Sequence, residues 1–138
     1  MKYVLDTCVL SELVKEKPAL RVLNFIERID IESVRISVFS LAELKRGVFL
    51  LPESSKKRRL VDWLEGFELR FVKSILKFDA EQASHWAQLF TKFEKSGQKM
   101  PLMDSLIYTQ CSYHQACLVT RNEKDFINRD LEVINPWI

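Results

Sequence analysis

Short apolar runs alternate with helical stripes along this chain, and that alternation predicts its architecture. Tyr3, Val4 and Leu5 form a run suited to a strand buried on both faces of a parallel sheet, with Asp6 at its carboxyl end. Val9, Leu10 and Leu13 then recur at helical spacing, so the backbone turns within about two residues of Asp6. Glu16-Lys17-Pro18 interrupts this helix, and Pro18 suits the first turn of a second, whose stripe is Leu20, Leu23, Ile26 and Ile29. Val34 to Phe39 is rich in β-branched residues and predicts a second strand. Ser40 opens a helix packing Leu41, Leu44, Val48 and Leu51, which Pro52 stops.

Ser54 or Ser55 caps the next helix, with Leu60, Trp63, Leu64, Phe67 and Phe71 as its apolar set, and Ser74 to Phe78 predicts strand three. Asp79 and Gln82 form a capping pair for a helix that turns Ala83, Trp86, Ala87 and Phe90 inward, with His85 packing beside them. Gly97 ends that helix and Pro101 starts another, carrying Met103, Asp104, Leu106, Ile107 and Cys111. Ala116 to Thr120 is a further strand, Arg121 to Phe126 a turn or short helix, and Leu131 to Ile134 an edge strand before Pro136. Strands alternating with helices predict an α/β fold, a mainly parallel sheet covered on both sides, in one domain over residues 1–138.

Composition narrows the chemistry. At 138 residues the chain can bury roughly two thirds of its unfolded surface without disulfides. Cys8, Cys111 and Cys117 include no C-x-x-C pair and only two histidines accompany them, which argues against structural zinc. Cys8 has no local His or Arg to activate it and reads as a small hydrophobe. The 21 basic and 19 acidic residues leave a charge of +2, too balanced to announce nucleic acid, although Lys56-Lys57-Arg58-Arg59 concentrates four cations that are either a solvated helix face or a phosphate contact. Met1 to Leu13 does not read as a leader and no apolar run approaches membrane length, so a soluble cytoplasmic protein is expected.

Four acids carry the candidate chemistry. Each has a plainer reading: Asp6 as an N-cap, Glu43 as the far half of a capping box with Ser40, Asp104 as a first-turn carboxylate, Asp125 as a capping partner of Asn122. Together they are harder to explain so, because Asp6, Glu43 and Asp125 all follow buried strands, and the carboxyl ends of parallel strands share one edge. Asp104 joins them if its helix begins at that edge. Carboxylates within about 4–6 Å of one another repel unless protonated or neutralised by a cation. Oxygen-only ligands select Mg²⁺ or Mn²⁺, whose retained waters suit phosphodiester hydrolysis.

The segments Val4–Leu13, Ile36–Val48, Pro101–Ile107 and Leu118–Phe126, followed by Val133–Trp137, resemble the PIN-domain ribonucleases, and among them the VapC-type toxins of bacterial toxin–antitoxin pairs. The resemblance implies a three-layer α/β/α sandwich, Mg²⁺- or Mn²⁺-dependent cleavage of RNA, homodimerisation, and inhibition by a small VapB-type antitoxin that covers the acidic cleft. It implies that Asp6, Glu43 and Asp104 ligate metal and that Asp125 or Asn122 completes the site. Thr7 and Thr120 match hydroxyl positions beside the metal, and Cys8 stands where relatives commonly have Asn. Arg46 and Arg121 are candidates for substrate phosphate or for surface ion pairs. Two other classes fit part of the pattern. A phosphatase with Asp6 as nucleophile would need an acid two residues on, where Cys8 stands, and a non-enzymatic module would use the acids to capture a basic peptide without turnover.

Overall fold

A strand of three apolar residues persists only where neighbours cover both its edges and both its faces, and β1 (Tyr3–Leu5) has all four. The computed structural model describes residues 1–126 and 130–138. In it β1 lies between β2 (Val34–Ser37) and β4 (Cys117–Val119), with β3 (Ile75–Leu76) and β5 (Val133–Ile134) outermost, giving the parallel order β3-β2-β1-β4-β5. Tyr3 pairs with Val34 on one side and Cys117 on the other, and Leu5 with Ile36 and Val119.

Helices α1 (Thr7–Leu13), α2 (Leu20–Arg28), α3 (Val38–Phe49), α4 (Ser55–Arg70), α5 (Ala80–Lys95) and α6 (Leu102–His114) cover the two faces. Side chains alternate along β1, so Val4 packs with Ile107, Tyr108 and Leu118 while Leu5 packs with Val9, Leu10 and Leu64. The result is the expected three-layer α/β/α arrangement. Each buried Leu, Ile or Val contributes about 1.5–3 kcal/mol. These two cores, rather than ladders two to four residues long, hold the strands in place. Among the described residues no helix is long and apolar enough to cross a membrane.

Several boundaries differ from the sequence reading. Strand two stops at Ser37, not Phe39, because the Ser37 hydroxyl accepts a hydrogen bond from Phe39 N–H and caps α3. Ser40 is therefore inside the helix, fully buried, with its hydroxyl unpartnered among the described residues. In α2, Val22 is the fully buried position and Leu20 is 71% exposed, so the stripe runs through Val22, Phe25, Ile26 and Ile29. Pro18 precedes the N-cap Ala19 and lies outside that helix. In α5 the inward stripe is Gln82, Trp86, Leu89 and Phe93, with Trp86 Nε1 donating to the buried Ser105 hydroxyl as expected of an inward side chain, while Ala83 and Ala87 face solvent: the larger side chains take the core, and Gln82 is admitted because its amide donates to the Lys77 carbonyl.

Candidate active site

The connection from α6 to β4 determines where Asp104 sits. Gln115 adopts the left-handed conformation (φ 52°, ψ 45°) and ends the helix, and β4 begins two residues later at Cys117. Helix α6 thus runs back against β4 and begins at the carboxyl edge of the sheet, bringing Asp104 in its first turn to the edge where Asp6 and the Glu123–Phe126 turn stand.

Asp6 is buried, at 5% exposure, and caps α1. Its Oδ1 accepts from Thr7 N–H at 2.8 Å, and its Oδ2 accepts from the Thr120 hydroxyl at 2.7 Å. The Thr7 hydroxyl donates to Glu43 Oε1 at 2.7 Å, so one threonine ties two of the acids together from its backbone and its side chain. The alternative reading of Glu43, a capping box with Ser40, does not form, since Ser37 holds the cap, and the carboxylate of Glu43 faces Thr7. Thr120 is fully buried and also accepts from Asn122 N–H at 3.0 Å, which fixes the start of the loop leading to Asp125. Asn122 takes part through its backbone: its carbonyl accepts from Asp125 N–H.

Asp104 shows what this gathering costs. Half-buried, its carboxyl is pushed up from 3.8 to about 6 by burial first, then by the negative charges of Asp6, Asp125 and Glu43. Its own oxygens take no hydrogen bond or ion pair among the described residues. Those residues contain no ready-made cage of three or more metal-ligating side chains. An open ring of carboxylates still fits a hard dication, because Mg²⁺ is commonly held by one or two carboxylates and fills its other positions with water and phosphate oxygen.

Cys8 lies against the same cluster. Its Sγ is 3.8 Å from Asp6 Oδ2 and 3.6 Å from the Thr120 hydroxyl, and it accepts from Arg121 N–H at 3.4 Å. Burial raises its pKa, so it remains a thiol and supports the loop rather than attacking substrate. Arg46 is exposed, without an ion pair among the described residues. Arg121 makes no ion pair with the acids either, and its guanidinium lies over the Trp137 ring at 5.2 Å. The sequence gives no role to Trp137 or to Glu12, the buried acid at the end of α1 that accepts from Lys15 Nζ and Ala19 N–H and lies beside Trp137. An acid inside the apolar stripe Val9–Leu13 was the available signal for Glu12.

The family profile described as PIN domain matches residues 3–130. The chain belongs to the PIN-domain family. Toxin FitB of Neisseria gonorrhoeae is 33% identical over 97% of both chains, and the VapC ribonuclease Y4jK of Sinorhizobium fredii is 32% identical over 97% of this chain and 96% of its own. Among solved structures, the PIN domain seen here superposes on that of FitAcB from Neisseria gonorrhoeae with a TM-score of 0.90 at 32% identity, over 98% of each chain. It also matches VapBC2 from Rickettsia felis, solved with a DNA fragment from the promoter, with a TM-score of 0.81 at 29% identity and the same coverage.

Proposed function

We propose that this PIN-domain chain is the toxin of a type II toxin–antitoxin pair: an endoribonuclease that hydrolyses RNA phosphodiester bonds with Mg²⁺ or Mn²⁺ and is held inactive by a small antitoxin. The observation that carries the catalytic reading is Asp104, a half-buried carboxylate whose pKa is raised by burial and by the negative charges of Asp6, Asp125 and Glu43. Such a cluster, at the carboxyl edge of a parallel sheet, suits a dication. Relatives named as ribonucleases support the substrate class, and neighbours solved as toxin–antitoxin complexes support the partner.

Asp6, Glu43, Asp104 and Asp125 would hold the metal, which when bound supplies positive charge to a phosphate oxygen and an acidified water. The remaining work falls to the chain itself. Thr7 and Thr120 orient Glu43 and Asp6 through their hydroxyls, and the Thr120–Asn122 bond positions the turn bearing Asp125. The phosphatase alternative fares worse, because residue 8 supplies a thiol rather than the second acid it requires. Purified, partner-free protein should cleave RNA in the presence of Mn²⁺ and stop when a chelator is added, and adding the cognate antitoxin should suppress the activity. Cleavage that persists in chelator, or no cleavage with metal, would overturn the proposal.

A further inference from the structure

Outside the acids, basic side chains succeed one another along α1 through shared contacts. Arg121 follows Thr120 directly and rests its guanidinium on Trp137. Trp137 lies beside Glu12, whose Oε1 accepts from Lys15 Nζ at 3.1 Å. Lys15 then lines an open cleft of about 630 Å³ with Glu16, Lys56 and Arg59, between the end of α1 and the start of α4. The seven residues of α1 span roughly 10 Å, so the cleft and the acids lie within reach of one extended strand.

Lys15 is paired with the buried Glu12, and the charges on the α4 side of this cleft are available. Lys57 is the member of the four-residue basic run that the fold uses, donating to Glu53 at 2.6 Å and to the Phe49 carbonyl at 3.1 Å. Lys56 and Arg58 are exposed and make no ion pair among the described residues. Arg59 meets Glu16 at 3.4 Å with side chains 60% and 81% exposed, a geometry worth little and readily exchanged for a phosphate. Helix α4 has no acid in its first turn, so its dipole adds to the positive field. Exposed cations around an open cleft, one short helix away from the acids, suit a single strand followed by its backbone rather than by its bases.

We infer that Arg121, Lys15, Lys56 and Arg59 form a track that carries the phosphate backbone of the RNA away from the acidic cluster, along α1 and into the α1–α4 cleft. The inference rests on the ribonuclease reading of the acids and adds the path the substrate takes. RNA extending past the site is held by the track, and a fragment confined to the acids is not.

The test is the salt dependence of binding to a fluorescently labelled single-stranded RNA of about 15 nucleotides, in chelator, for the wild type and for Lys56→Gln with Arg59→Gln. Loss of two phosphate contacts at about 0.7 each makes the slope of log K against log salt shallower by about 1.4. Lys56→Arg with Arg59→Lys restores it, and an RNA of about four nucleotides binds both proteins alike. An unchanged slope in the Gln variant overturns the track, as does a variant that loses affinity for polyglutamate while binding RNA normally, which would assign the cleft to an acidic protein segment. Wild-type protein that cleaves RNA while the slope stays fixed removes the track alone, whereas wild-type protein that neither binds nor cleaves RNA removes the ribonuclease reading with it.

Discussion

Asp104 carries the clearest consequence of the charge arrangement. Its carboxyl titrates near 6 in the folded protein against 3.8 for an ordinary aspartate, so between those values the folded state binds a proton that the unfolded chain has lost. The contribution of this group to stability is therefore greatest in acid and declines as pH rises from about 4 to about 6. Asp104→Asn removes the penalty: in chelator at pH 7 the variant should melt above the wild type, with the gap closing toward pH 4, as scanning calorimetry would show. The same variant should lose RNA cleavage by more than about 100-fold, beyond the 10–100-fold typical of losing an outer partner. Thr120→Val tests the outer partner itself. Without the 2.7 Å hydrogen bond to Asp6, thermal unfolding should register a loss of about 1.5–3 kcal/mol, and metal affinity should fall about 10–100-fold.

Among the elements, α3 shows how the sequence both revealed and disguised the site. Glu43 was recognisable as an acid just past a strand, yet Val34 to Phe39 reads equally as a strand or as a strand running into a helix, because periodicity cannot divide a short apolar run. Placing the start of the helix at Ser40 left Glu43 a capping role as the alternative to metal, and the observed cap at Ser37 removes that alternative and leaves its carboxylate facing Thr7. The two serines should separate experimentally: Ser37→Ala costs about 1 kcal/mol in denaturant unfolding, whereas Ser40→Ala, which removes a buried hydroxyl with no partner, is neutral or stabilising. In α5 the spacing and the inward Trp86 are legible, but the exact face is not, since Ala83 and Ala87 fit either side of the helix and only the competition with Leu89 and Phe93 decides.

For the whole molecule, the parallel order β3-β2-β1-β4-β5 puts Asp6 at the end of the central strand, with the other acids arriving from both sides. The alternation of apolar runs and stripes was enough to anticipate this edge. It could not anticipate the contact of Arg121 with Trp137 and of Trp137 with Glu12, which joins residues far apart in sequence and leaves no local pattern. Fold and site also separate energetically. Leu118→Ala, in the fully buried layer beside Val4, should cost about 2–5 kcal/mol in unfolding, while Asp6→Asn, which changes charge without volume, should abolish cleavage and leave a folded protein by circular dichroism. The central claim is that the four acids gather to hold a divalent cation, and calorimetric titration of Mn²⁺ into partner-free protein tests it most directly. Binding should be present at pH 7.5, weaker at pH 5 as Asp104 protonates, and lost in Asp104→Asn; equal binding by that variant, or none by the wild type at pH 7.5, would contradict it.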